Sequence, residues 1–281
     1  MKTIGDNLGN PFFQRALLEA VLVGALAGVV GVHVLLRRLP FFVVAMSHAT
    51  FPGVVLASAL GISLFIGGTA FGLLVVVMVV ALGSVRALDH SSAIGVVLAG
   101  SFAVGVLVLS ARPAASKDLS AFLVGQILTV STADILTTAV VGTVLLAILA
   151  ALHKELVHGA FDAAGLGALG YPTQMLDLLV LVVVTIALVT AVPAVGTLLA
   201  VALLTVPALA ARQWSDRVGP MMAIAAPIGA VSGVVGLCAS AAWNIAAGAS
   251  IALTAAFAFA VSAAARSARA ARSDLEPAGG A

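Results

Sequence analysis

Apolar residues in this chain come in long unbroken runs. They show neither the alternation of a half-buried strand nor the narrow stripe of a surface helix. Such runs occupy 15–36, 41–60, 62–83, 92–110, 133–152, 174–193, 196–211, 220–242 and 249–265, separated by short knots of charge. A helix crossing the hydrocarbon core of a bilayer takes about 20 apolar residues. Each span must satisfy its own backbone hydrogen bonds, which a helix does. Stretches such as Leu178 to Val192 are apolar on every face, whereas a barrel strand alternates over roughly ten residues. The pattern predicts an all-α membrane protein, a polytopic bundle of about nine transmembrane helices.

Two spans carry a helix breaker. Pro52 with Gly53 interrupts the second, and Pro207 the seventh, because proline deletes a backbone donor. Half-helices at membrane depth mark either a packing kink or a transport path, since freed backbone groups there must be covered by protein or a wet cavity. Between the fifth and sixth spans, His153 to Thr173 contains FDAAGLGALGYPT. This segment is too polar to cross, yet Phe161, Leu166 and Leu169 are placed to form one side of a short surface helix. In the loop from Arg112 to Thr132, Asp118 to Gln126 reads as an interfacial helix capped by Ser116. Residues 1–265 are expected to form one transmembrane domain, and 266–281 a disordered tail behind an arginine cluster suited to anionic lipid.

With 62% hydrophobic and 9% charged residues, a water-soluble globule of this length could not cover its surface. The net charge of +2 is too small, and too scattered over span ends, to suit nucleic acid. Those charges report topology instead. With the N-terminus outside, Arg37, Arg38, Arg86, Lys154, Arg212, Arg217, Arg266, Arg269 and Arg272 face inward, against Lys2, Arg15, Arg112 and Lys117 outside. Nine against four places the C-terminus in the cytoplasm. The first apolar run continues past any cleavage site and reads as a span, not a signal peptide. Cys238, alone in the chain, reads as a small buried hydrophobe.

Several chemistries are excluded. The three lysines follow Met1, Ser116 and His153, so no glycine-lysine phosphate loop exists to bind ATP. Neither a nucleophile elbow nor a zinc helix is present. In HKELVH the histidines lie five apart, about 140° round a helix, and share no face. Polar groups inside apolar spans remain as functional candidates, because placing them there is costly. His48, in SHATFPGV just before the Pro52 break, leads them. A neutral imidazole can offer nitrogen to zinc, manganese or iron. Position alone leaves open a packing histidine and a pore ligand. Glu19 and His33 are weaker candidates, since reaching toward the nearest interface would account for either, and Asp177 is expected to sit at a helix N-terminus for electrostatic reasons.

The segments FFQRALLEAVLVGALAGVVGVHVLLRR and AMSHATFPGVVLASALG carry a family likeness, together with SSAIGVVLAGSFAVGVLVLS, DLSAFLVGQIL, FDAAGLGALGYPT and AVGTLLAVALLTVPALAAR. In this order, over about residues 12–265, the chain resembles the metal-ion permeases of ABC importers, which carry zinc, manganese or iron into bacteria. The resemblance implies a permease subunit of the cell (inner) membrane that is not itself an enzyme and binds no cofactor. ATP would be hydrolysed on partner ATPase subunits in the cytoplasm. An extracytoplasmic metal-binding protein, and a second permease copy or homologue, are the other implied partners. His48 is then a pore contact for the divalent metal cargo. The stretch holding Phe161, Asp162, Leu166, Gly167, Leu169 and Gly170 is then the coupling helix. Two departures stand out: Val44 and Asn244 occupy positions where the family commonly carries aspartate. Glu19 cannot substitute, since helical rise puts it about 15 Å from His48 along the membrane normal. The competing readings are a gradient-driven secondary transporter or channel, and a membrane-embedded enzyme or scaffold. The first ordinarily needs intramembrane acids, and the second an assembled catalytic set.

Overall fold

The computed structural model describes residues 10–83, 90–111, 125 and 127–273. Among them the regular structure is helical. In chain order the helices are α1 (Pro11–Leu36), α2 (Pro40–Ala49), α3 (Phe51–Leu60), α4 (Leu64–Gly83), α5 (His90–Ala111) and α6 (Thr132–Ala151). They continue with α7 (His153–Phe161), α8 (Ala163–Ala168), α9 (Thr173–Val195), α10 (Thr197–Arg212), α11 (Val218–Trp243) and α12 (Ala247–Ser273). Counting Pro40–Leu60 as one, eight helices among the described residues are long and apolar enough to cross a membrane. The ninth expected crossing is α10, whose 16 residues extend about 24 Å at 1.5 Å per residue. Residues 84–89 and 274–281, Arg112, Lys117 and Lys2 lie outside the described residues. So does the expected helix at 118–126 with its Ser116 cap, apart from Gly125.

Local chemistry sets several helix starts. The Asn10 side chain accepts from the Phe12 amide at 3.0 Å, with Pro11 at the first turn of α1. Ser131 and Asp134 form a reciprocal capping box at α6, the Asp134 amide donating to Ser131 Oγ at 3.2 Å. At the far end α12 runs through Ser273, so residues 266–273 are helical where a disordered tail was expected. The reason is tertiary. The Arg269 guanidinium stacks 4.2 Å over the Trp214 ring, and Arg266 donates to the carbonyl of Arg212 at 3.4 Å.

Helix α1 is the centre of the bundle, and its contact with α11 is the tightest. A Cβ on Gly24 would sit 2.4 Å from the carbonyl oxygen of Gly229, one on Gly28 2.4 Å from that of Ala225, and one on Gly233 2.8 Å from that of Ala20. Small residues four apart on both helices let the backbones touch, and in lipid close packing of this kind drives helix association. Gly31 meets the carbonyl of Leu204 in α10 in the same way, at 2.1 Å.

The helices alternate between two ends. Leu35–Leu39, Gly159–Phe161, Asp177 and Arg212 share one cavity, at what we call the Arg37 end. Asn10, Phe12, Leu128 and the Ala241–Ile245 turn share another, at the Asn10 end. The turn joining α9 to α10 is sunk below that second end. Val195, Gly196 and Thr197 are buried, and Gly125 lies against them so closely that a Cβ would come 2.3 Å from the carbonyl carbon of Val195. That burial explains why α10 is short.

Candidate functional site

The second span breaks at Thr50, where α2 stops and α3 begins. Pro52 occupies the first turn of α3 and has no N–H to return to the carbonyl of His48 four residues earlier. The Thr50 hydroxyl closes α2 by donating to the carbonyl of Met46 at 3.0 Å. Gly53 serves packing: its Cβ would lie 2.4 Å from the carbonyl oxygen of Gly67 in α4. Pro207, by contrast, lies inside the continuous helix α10, so the expected break there is corrected. A proline leaves only one carbonyl unpaired when flanking turns and neighbouring helices hold the axis. Pro193 and Pro227 are likewise absorbed inside α9 and α11.

His48 stands on the face of α2 turned to α5. Its ring meets Phe102 edge to face, with centroids 6.5 Å apart and planes at 88°. The imidazole is half-buried. It makes no hydrogen bond among the described residues, so it is not tied into a polar network as a packing histidine normally is. Val44, one turn earlier on the same face, is 40% exposed. Around these two residues the single chain is open.

Asn244 lies elsewhere. It caps α11 with φ 53° and ψ 45°, in the left-handed region that asparagine tolerates better than most residues. It faces the cavity at the Asn10 end, whereas His48 follows the Arg37-end start of α2 by only eight residues, about 12 Å of helix. The two expected metal contacts are therefore not brought together within one chain. Among the described residues, no group of three or more His, Cys, Asp or Glu side chains gathers as a metal site.

The other intramembrane polar groups are placed differently from expectation. Glu19 and His33 are each only 1% exposed and do not reach an interface, because α1 is walled in by α6, α10 and α11. Thr138 of α6 donates to Glu19 Oε1 at 2.7 Å, while Glu19 Oε2 and both ring nitrogens of His33 have no partner among the described residues. Asp177 is the fifth residue of α9, past the first turn where the helix dipole acts. It pairs with the Arg37 guanidinium instead. Burial lowers the pKa of Arg37 from its ordinary value, yet a guanidinium remains charged at neutral pH.

At the Arg37 end, the connector from Phe161 to Pro172 holds the short helix α8. Asp162 caps it, its Oδ1 accepting from the Gly165 amide at 2.8 Å, and Gly170 with φ 87° turns the chain away. Phe161 and Leu169 are 67% and 77% exposed, and Tyr171 and Met175 are exposed beside them. Leu166, expected on the same side, is instead 6% exposed and packs inward. With only six residues, α8 needs that one anchor. Gly167 lies on the exposed part of the turn.

Comparison with known proteins agrees with this architecture. A family model described as the ABC 3 transport family matches residues 10–266. The manganese import system permease protein ScaB of Streptococcus gordonii is 35% identical over 251 residues, covering 89% of this chain and 90% of that protein. The zinc transport system membrane protein TroC of Treponema pallidum is 33% identical over 237 residues, covering 81% and 80%. Among solved structures, PsaBC from Streptococcus pneumoniae in complex with Fab superposes with a TM-score of 0.84 at 34% identity, over 92% of this chain and 95% of that one. By a family match spanning nearly its whole length, and by relatives above 30% identity along most of theirs, this chain belongs to the ABC 3 transport family.

Proposed function

We propose that this chain is the membrane-spanning permease subunit of an ATP-driven importer that carries divalent transition-metal ions into a bacterial cell, with manganese as its principal cargo. The observation that carries this reading is the Phe161–Met175 region. A chain with no phosphate loop of its own projects a capped, apolar knob from its membrane helices. Such a surface is worth exposing only if a partner covers it. That partner is the ATPase subunit, and the Arg37 end is the cytoplasmic face. A second permease copy closes the open side of α2 and α5, and an extracytoplasmic metal-binding protein delivers cargo at the Asn10 end. Manganese ranks ahead of zinc because a named manganese permease aligns over more of this chain than the named zinc one does.

In this reading His48 supplies a passing contact. Its neutral imidazole offers nitrogen without burying a charge. With Val44 and Asn244 in place of acids, retention of a dication is weak, which suits a conduit more than a store. ATP-driven closure of the partners moves the connectors and opens the inner gate, alternating access between the two faces.

Uptake of radiolabelled manganese should be measured in proteoliposomes holding permease, ATPase and binding protein. It should require ATP and be outcompeted by unlabelled manganese at lower concentration than by zinc or iron. Uptake by the permease alone, driven by an ion gradient, would sink the proposal in favour of a secondary transporter.

A further inference from the structure

The one ion pair among the described residues joins Arg37, at the end of α1, to Asp177 in α9. Its two halves sit in different surroundings: the Arg37 side chain is 10% exposed and that of Asp177 59%. The guanidinium also reaches the carbonyl oxygen of Leu156 in α7 at 3.4 Å. Helix α7 leads into the connector and α9 leads out of it, so one side chain from α1 holds both of its flanks. Beside that contact lies a cavity of about 780 Å³, lined by Phe161, Ala160, Arg37, Asp177, Leu181 and Arg212 among others. Ala160 and Phe161 face the ends of α1 and α10 across this space, while Val157 in α7 packs against the cluster that holds Val32, Ala208 and Ala211. Leu156 and Leu166 anchor the connector on its inner side, and Arg37 bridges the gap.

We propose that Arg37 is a positioning residue for transport: with Asp177 it forms a strut that carries displacement of the connector into α1. Helix α1 is fitted to pass that displacement on, since it touches α10 at Gly31 and α11 at Gly24 and Gly28 backbone to backbone. Contacts of that closeness leave no slack for side chains to absorb. An exposed ion pair would contribute little. Here Arg37 is largely removed from water, so loss of Asp177 leaves a desolvated guanidinium without its counter-charge and frees α9 from α1.

This inference rests on the reading that the connector docks an ATPase, and the test separates the two. In the reconstituted importer, metal imported per ATP hydrolysed is measured for D177N, R37Q and the double variant, with ATPase co-purification recorded for each. Each single variant should lower the transport ratio about tenfold, the scale of one charge-assisted contact, while the ATPase remains bound. The double variant should be no worse than either single, because the partners act as a unit. D177E, which keeps the charge, should recover most of the ratio. An unchanged ratio in D177N, or a double variant whose losses multiply to about a hundredfold, overturns the strut. If R37Q does not accumulate, D177N against D177E decides alone. F161A with L169A should release the ATPase. If it stays bound, the docking reading fails; if it leaves while D177N transports normally, only the strut fails.

Discussion

At the scale of single residues, the open question is what a lone imidazole can do without carboxylates. His48 is half-buried, makes no hydrogen bond among the described residues and meets Phe102 edge to face, a position from which, in the proposed reading, its nitrogen is offered to passing cargo. His48→Ala should lower the manganese uptake rate by roughly tenfold or more, on the scale of losing a metal contact, with assembly and ATPase binding intact on size-exclusion chromatography. Val44 lies one helical turn earlier on the same open face. Manganese favours oxygen donors, so Val44→Asp should lower the apparent KM for manganese and also slow maximal uptake as release becomes limiting. A KM unaltered by the added acid would take this face out of the transport path. Asn244 explains itself locally. Its left-handed backbone turns α11 into α12, and asparagine keeps that conformation at less cost than most side chains.

At the scale of elements, helix contacts carry the stability that side-chain polarity cannot. The Ala20, Gly24, Gly28 series on α1 and the Ala225, Gly229, Gly233 series on α11 each set small residues four apart. Only the packed structure shows that they face each other. Gly229→Val would drive a side chain into a carbonyl that already lies 2.1 Å from the Cβ position. The backbones would have to separate, at a cost of about 1–3 kcal/mol, and thermal unfolding in detergent should begin at a lower temperature. The same substitution at Gly219, which has open space around its Cβ position, is the control and should leave melting almost unchanged. Breaker residues show the opposite lesson. Pro52 separates α2 from α3, while Pro207 is held within α10; the residue type is identical, and the neighbours decide.

At the scale of the whole molecule, the alternation of helices puts Arg37, Lys154, Arg212, Arg217 and Arg266 at one end and Asn10, Gly61 and the Trp243–Ala246 turn at the other. By the positive-inside rule, the first end is the proposed cytoplasmic face. In a Cys238→Ser background, a cysteine at Ile62 should react with a membrane-impermeant maleimide on intact cells. One at Ser267 should react only after permeabilisation. Labelling in the reverse order would invert the topology and place the Phe161–Met175 knob outside, where no ATPase could reach it.

Membrane residence, the helical class and the approximate spans follow from the sequence by itself, because apolar runs of about 20 residues in lipid have one economical backbone solution. The order and rough limits of the helices were legible for the same reason, and so was a short non-spanning segment around Asp162. Pairings between distant segments were not. Nothing local says that Arg37 meets Asp177, that Thr138 holds Glu19, or that Leu166 turns inward while Leu169 stays out. Nor could periodicity reveal that Arg266 and Arg269 brace α12 against the end of α10 and carry it past the expected boundary. Those outcomes depend on which helices pack together. In a bilayer that choice is made by shape and by scarce polar contacts, since every apolar face is equally content against lipid or against protein.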